Sequence, residues 1–162
     1  MVVYHGSNIP VINPKILQSE RKLDFGDGFY TTFNREQAVR WSERVAEREK
    51  TSVRIISEYE FDSNTAENDL KVLKFEKPDS TWLDFICANR LGNEAIIQYD
   101  IVIGPVANDS VYQTVLFYEQ GLYDADEAIK RLKIQKLYNQ VLFHTEKSLK
   151  FCKYIQHEQI GG

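Results

Sequence analysis

The sequence is poor in the residues that most often hold metals, with two cysteines and three histidines among its 162 residues. Cys87 and Cys152 do not have the spacing of metal ligands, and in a reducing compartment we expect both to be small buried apolar residues. The histidines, at positions 5, 144 and 157, do not combine with other residues into a zinc site or a Ser-His-Asp triad. The sequence therefore predicts no bound metal.

Long apolar runs and an excess of basic residues are also absent. No apolar run approaches the roughly 20 residues that a membrane helix needs. The N-terminus lacks the basic segment, apolar core and cleavage site of a secretory signal, so we expect a cytoplasmic protein. Because the net charge is −4, a nucleic acid would have to bind through a local basic patch.

The remaining composition is typical of a soluble globular protein. Hydrophobic residues make up 43% and charged residues 27%, which excludes disordered and collagen-like chains. A chain of 162 residues suits one domain with a substantial core. We predict a single domain over residues 1–162, with a frayed tail from about residue 156.

Strand and helix patterns alternate along the chain without repeats. Asn34 followed by Gln37 is a capping box that predicts the start of a helix, and Asp79 or Ser80 caps a later one. Strands are predicted at 2–4, 29–32, 53–61, 70–76, 99–106 and 139–145, and residues 146–156 are predicted to form a short helix or turn that runs into a last strand. Helices are predicted at 35–50, 80–90, 110–119 and 125–137. This order is not a regular βαβα alternation, so the sequence predicts an α+β fold with mostly antiparallel or mixed sheets.

Three short stretches place a polar or aromatic residue at a predicted strand: YHGS at 4–7, GDGFYTT at 26–32 and YNQVLFHT at 138–145. In order and spacing they resemble the three motifs of the ADP-ribosyltransferase superfamily, in the branch of diphtheria toxin and the poly(ADP-ribose) polymerases. Through YHGS, GFYTT and YDIVIGPVAND, nearly the whole chain also resembles DUF3990, a bacterial family of uncharacterised domains in that superfamily. The resemblance implies two packed sheets flanked by helices.

The resemblance also implies an activity. It points to a mono-ADP-ribosyltransferase of toxin or toxin–antitoxin type, which transfers ADP-ribose from NAD to a macromolecule and releases nicotinamide. NAD, used as a substrate, is the only cofactor implied. The acceptor is a protein or a nucleic acid, a small antitoxin protein is a possible partner, and polymer formation is not expected.

Five residues of the first two motifs are implied to bind NAD. By resemblance, His5 hydrogen-bonds the ribose, and His5, Tyr30 and Gln140 of the third motif serve as the catalytic residues. Gly6 lets the backbone approach the nicotinamide amide because it has no Cβ, and Ser7 follows it in the site. Gly28 allows a similarly close approach, and Tyr30 lies against the nicotinamide ring.

Trp41 follows Tyr30 by eleven residues, the spacing at which the polymerases place a second aromatic against nicotinamide. Trp41 also shares a helical stripe with Ala38 and Val45, so it is equally compatible with a core anchor of the predicted helix. Ala38 stands where the polymerases carry a hydroxyl that holds the amide. The charged residues of this helix are predicted to form a solvated face.

The third motif departs from the family pattern. Where the active relatives carry a carboxylate that offsets positive charge on the ribose, this chain has Gln140. An amide can position NAD by hydrogen bonds, but it has no charge with which to stabilise a cation-like transition state. Tyr138, two places earlier, does not match the glutamate or glutamine that many arginine- or asparagine-modifying toxins carry there.

Two further interpretations follow from these residues. A non-catalytic module that binds NAD or ADP-ribose is one alternative, and NAD hydrolysis or RNA 2′-phosphate transfer on the same fold is another. The last usually requires more basic residues than this chain offers near its motifs. Asn108, Asp109 and Glu119 form a possible additional site, with helix capping by Asp109 as the other interpretation.

Overall fold

The computed structural model describes residues 1–17, 25–90, 99–106, 109–132 and 137–161. Within them, seven strands form one sheet: β1 Val2–Ser7, β2 Phe29–Thr32, β3 Ile55–Phe61, β4 Val72–Lys74, β5 Ile101–Pro105, β6 Asn139–Phe143 and β7 Cys152–Gln159. The α-helices of the same residues are α1 Arg35–Arg48, α2 Ser63–Asp69, α3 Ser80–Arg90, α4 Asp109–Glu119 and α5 Ala125–Leu132. A short 3-10 helix, Ser148–Phe151, precedes β7.

The strand order across the sheet is β4-β5-β6-β2-β1-β3-β7. β4 and β5 are parallel, and every other neighbouring pair is antiparallel. The α+β prediction is confirmed, whereas the expectation of two packed sheets is wrong for the described residues. β2 and β6 are in register over four residue pairs, and this ladder joins the strands on its two sides into one sheet.

An apolar core lies on each face of the sheet. Successive residues of a strand point to opposite faces, and β6 shows this alternation clearly. Leu142 belongs to a cluster with Trp82 and Leu132 of the helices, whereas Val141 and Phe143 belong to a second cluster with strand residues. This burial on both faces explains why the last three residues of β6, Val141–Phe143, are all apolar.

Helix α1 begins as the sequence predicts and packs directly on β1. The Asn34 side chain accepts a hydrogen bond from the backbone N–H of Gln37 at 2.9 Å, which confirms the N-cap. A Cβ added to Gly6 would lie 1.9 Å from the carbonyl oxygen of Ala38. Helix α1 can therefore approach this closely only because position 6 is glycine.

Two parts of the chain differ from the sequence prediction. Helix α2 was not predicted, because its seven residues bury only Ala66 and so carry no amphipathic period; Asp62 caps it by accepting from the N–H of Thr65. The prediction of a frayed tail is wrong for Gln156–Gln159, because these residues belong to β7 and pair with β3. Residues 133–136 of the helix predicted at 125–137 lie outside the described residues.

None of the helices in the described ranges is both long enough and apolar enough to cross a membrane.

Candidate functional site

Strand β1 is paired differently along its two edges. With β3 it is in register over six residues, from Val2 opposite Glu60 to Ser7 opposite Ile55. With β2 it is in register at one position, where Tyr4 lies opposite Thr32. Within the described strands, residues 5–7 therefore have register partners in β3 alone, and the sheet opens between the end of β1 and the start of β2.

A cavity of about 450 Å³ lies at this opening. Its volume falls in the range of roughly 300–1,000 Å³ that is usual for small-molecule sites. The two strands, the loop that follows β1 and the end of α1 line it with His5, Ser7, Ile9, Val11, Asn13, Lys15, Leu17, Gly28, Phe29, Tyr30 and Arg48. The structure thus brings together four of the residues singled out in the sequence: His5, Ser7, Gly28 and Tyr30.

His5 is held in one orientation by a backbone group of the neighbouring strand. Its Nδ1 lies 2.7 Å from the carbonyl oxygen of Tyr30, and its ring packs on Phe29 with the centroids 4.5 Å apart. A carbonyl can only accept, so Nδ1 carries the proton and donates it. In the neutral ring, Nε2 is then left as a hydrogen-bond acceptor.

Burial favours this neutral form of His5. Desolvation lowers the pKa of the imidazole below its usual 6.5, and the hydrogen bond to the Tyr30 carbonyl offsets part of that effect by stabilising the protonated form. The direction of the shift makes the ring neutral at physiological pH. His5 is therefore suited to accept a hydrogen bond from a ligand hydroxyl.

Tyr30 fixes the loop at the start of β2. Its hydroxyl donates to the carbonyl of Gly26 at 2.6 Å and accepts from the N–H of Phe25 at 3.1 Å. Gly28 has a φ of +153°, which side chains rarely adopt, and a Cβ there would lie 2.5 Å from the carbonyl oxygen of Phe143. Gly28 is thus needed to fold the loop against the end of β6.

Two other residues that were predicted to bind NAD have a different environment from the one expected. Trp41 is half-buried on α1 and is not among the described residues that line the cavity. Gly6 lies between His5 and Ser7 in β1, but the space of its missing side chain is taken by Ala38 of α1. The close packing of α1 on β1 therefore explains why position 6 is glycine.

Gln140 lies away from the cavity, in the closed part of the sheet. On β6 it is opposite Thr32 of β2 and Gly104 of β5, and it is 3% exposed. In the part of the chain that the structure describes, its Nε2 has no hydrogen-bond partner. A buried polar group left unsatisfied costs about 1–3 kcal/mol. The third motif therefore does not join the first two around the cavity.

The possible additional site is only partly described. Asn108 lies outside the described residues, and Asp109 begins α4. Glu119 ends α4, which packs against α3 and α5, and it is not among the residues found to line the cavity. The described residues thus place no part of this group at the cavity.

The sequence analysis missed two cations that line the cavity, Lys15 and Arg48. Arg48 was assigned to a solvated helix face. The length of α1 could have predicted that Arg48 lies near the cavity, because a helix of 14 residues is about 21 Å long. Since α1 begins just after β2 ends and packs on the neighbouring strand, its last turn returns to the edge where β2 begins.

The fold and the cavity define an α+β protein whose central sheet opens between two strands, with a neutral histidine and a tyrosine at the opening. The chain belongs to the DUF3990 family, which is described as a protein of unknown function and whose model matches residues 1–154. No curated protein and no solved structure matches it. All the described residues that line the cavity fall within the matched range.

Proposed function

We propose that this protein is an NAD-dependent mono-ADP-ribosyltransferase that binds NAD in the cavity between β1 and β2. The observation that supports this most directly is the grouping of His5 and Ser7 with Gly28 and Tyr30 around one cavity. These residues come from two motifs that are separated in the chain and that resemble the NAD-binding motifs of the ADP-ribosyltransferases.

The state of His5 suits contact with a ribose. Its Nδ1 is engaged by the Tyr30 carbonyl at 2.7 Å, so the neutral ring offers Nε2 as an acceptor. A ribose hydroxyl is a donor of the matching kind. His5 would thereby orient the sugar without adding a positive charge beside a reaction centre that itself becomes positive.

The aromatic part of the cavity suits the nicotinamide ring. Tyr30 uses its hydroxyl for the loop contacts to Gly26 and Phe25, and it is one of the residues that line the cavity. A stacked aromatic pair contributes roughly 1 kcal/mol beyond the burial of its surface. We therefore assign Tyr30 to the nicotinamide and His5 to the adjoining ribose.

The proposed reaction breaks the bond between the ribose carbon and the nicotinamide nitrogen. The electron pair of this bond leaves with nicotinamide, which departs neutral, and a nucleophile of the acceptor bonds to the cation-like carbon and loses a proton. The acceptor is a protein or nucleic acid of the same cytoplasm. This part, the toxin role and a small antitoxin partner rest on the resemblance of the motifs.

A second candidate function is an NAD or ADP-ribose binding module without catalysis. It is favoured by Gln140, whose neutral amide is buried and lies apart from the cavity. Among the described residues that line the cavity, none is Asp or Glu. A transferase with this site would have to stabilise the positive ribose by positioning alone, whereas a binding module would have no such need.

One experiment separates the two functions. The purified chain is titrated with NAD by calorimetry, and nicotinamide is then measured by chromatography after incubation with NAD and cell extract. Binding with nicotinamide release supports the transferase, and labelled NAD followed by mass spectrometry identifies the acceptor. Binding without release supports the module, and absence of NAD binding rejects both.

His5→Ala supplies the matched test of the site. We expect it to weaken NAD binding or turnover because it removes the proposed ribose contact. His157→Ala is the control, since His157 is exposed on β7 and does not line the cavity. Equal NAD binding and turnover in the two variants would place the site elsewhere.

A further inference from the structure

The charge of the cavity lining is opposite to that of the chain. The sequence has 24 acidic and 20 basic residues, so an average surface patch carries at least as many carboxylates as cations. The described residues of the cavity lining include two cations, Lys15 and Arg48, and no carboxylate. Clefts lined by one sign of charge concentrate ligands of the opposite sign. The cavity therefore favours an anion.

Both cations are available to a ligand. Lys15 is exposed and has no ion pair in the part of the chain that the structure describes. The Nε of Arg48 lies 3.4 Å from an oxygen of Glu49, but these side chains are 55% and 53% exposed. An exposed pair of this kind contributes little in water, and it engages only one edge of the guanidinium.

The two cations and the aromatic residues of the site are contributed by different parts of the chain. His5, Phe29 and Tyr30 are contributed by β1 and β2, whereas Lys15 lies in the loop after β1 and Arg48 in the last turn of α1. A cation in the last turn is also favoured by the partial negative charge of the helix end. The cavity lining thus combines aromatic residues with two cations.

We infer that Lys15 and Arg48 bind the diphosphate of the ligand. The site should therefore bind an aromatic base that carries a diphosphate more tightly than the same base without phosphate. A diphosphate is polyanionic, and it presents several oxygens that an arginine can engage in pairs and a lysine as a point charge. The inference rests on the proposed function in that it takes a dinucleotide as the ligand.

The test compares dissociation constants for four probes: NAD, ADP-ribose, inorganic pyrophosphate and nicotinamide. Calorimetry is carried out at low and high salt on the wild type, Lys15→Gln, Arg48→Gln and the double variant. The control is Lys130→Gln combined with Arg131→Gln on α5, which changes the net charge equally at residues that do not line the cavity. Thermal unfolding of every variant verifies that it folds.

We expect each single change to raise the Kd of NAD and ADP-ribose about tenfold and the double change about a hundredfold. Pyrophosphate should lose its affinity in the double variant. The Kd of nicotinamide should not change, and the salt dependence of NAD binding should become shallower because two charge contacts are lost. The control should match the wild type in all of these measurements.

The outcomes separate this inference from the proposed function. If the double variant and the control bind NAD equally well, the cations do not bind the diphosphate, while the proposed function stands. If the wild type binds ADP-ribose and pyrophosphate through the two cations but neither binds nor cleaves NAD, the diphosphate site stands and the proposed function fails. If the wild type binds none of the four probes, both are wrong.

Discussion

The two edges of β2 differ in what they leave accessible. Toward β6 the strand is in register over four residue pairs, from Phe29 opposite Phe143 to Thr32 opposite Gln140. Toward β1 it has one register pair, and the space beyond that pair is the cavity lined by His5. One edge of β2 therefore lies in the closed sheet, and the other edge borders the cavity.

This difference indicates how substitutions should act on each side. On the closed side, Gln140 is 3% exposed. A substitution there therefore alters the packing of the core, and a charged side chain at this position would be removed from water. On the open side, His5 and Tyr30 meet the cavity, so a change there acts mainly on the ligand and on the loop. The following predictions test this division, from the largest expected effect to the smallest.

Gly6→Ala should cause the largest loss of stability, more than about 3 kcal/mol, because the new Cβ would lie 1.9 Å from the Ala38 carbonyl oxygen. Backbone on both sides must move to relieve this overlap. Urea unfolding measures the loss. Gly121→Ala is the control: its φ of +77° is unfavourable for alanine, but nothing lies within 4 Å of the added Cβ, so a loss of about 1 kcal/mol is expected. Equal losses would show that α1 does not press on Gly6.

Gln140→Glu should destabilise the protein by about 2 kcal/mol or more at pH 8, because it buries a carboxylate where the amide has no partner for Nε2. Burial raises the pKa of the new carboxyl in the folded state above its unfolded value. Stability should therefore be greatest below the unfolded pKa, near pH 4, and fall as the pH rises through the folded value.

Gln140→Met is the matched apolar variant. It keeps a similar shape and removes the unsatisfied amide, so we expect a gain of about 1 kcal/mol with no dependence on pH. Unfolding free energies of both variants at pH 5 and pH 8 give the comparison. A Gln140→Glu protein as stable as the wild type at both pH values would mean that this side of β2 is open to water.

His5 should make the stability of the wild type depend on pH. Burial lowers the pKa of His5 below 6.5 in the folded state, so the unfolded chain takes up the proton first as the pH falls. The contribution of the neutral ring is present above about pH 6.5 and is lost as the pH falls through the lower folded value. Unfolding free energies between pH 8 and pH 5 measure the loss.

His5→Gln removes this titration, and its stability should change less than that of the wild type over the same range. His157→Gln is the control, because it replaces an exposed histidine. Identical pH profiles for wild type and His5→Gln would contradict the assignment of His5 as a partly buried, neutral ring.

Tyr30→Phe should have the smallest effect, a loss of about 1 kcal/mol, because it removes the hydroxyl contacts to Gly26 and Phe25. The ring remains, so NAD affinity should change much less than in His5→Ala. Urea unfolding and calorimetry give the two values. Tyr112→Phe, at a residue that is 42% exposed, is the reference for loss of a surface hydroxyl. A larger loss of affinity in Tyr30→Phe than in His5→Ala would assign the ligand contact to the hydroxyl.

Elements whose formation depends on near neighbours could be predicted from the sequence. The caps are the clearest case: Asn34 accepts from the N–H of Gln37, and Asp79 accepts from the N–H of Trp82 at 3.0 Å. Each of these bonds joins residues three apart, so the pattern contains both partners. The grouping of His5 with Tyr30 was also predicted, although from the resemblance of the motifs.

The tertiary structure alone decided which of those elements meet. Gln140 is buried because β6 pairs with both β2 and β5, and the resemblance that placed it at the site could not take this into account. Arg48 reaches the cavity because α1 packs back along β1 over Gly6. Local hydrogen bonds are determined within a few residues, whereas burial and cavities depend on long-range pairing of strands. The sequence by itself therefore determined the caps and most strands, and the pairing around β2 decided which residues line the site.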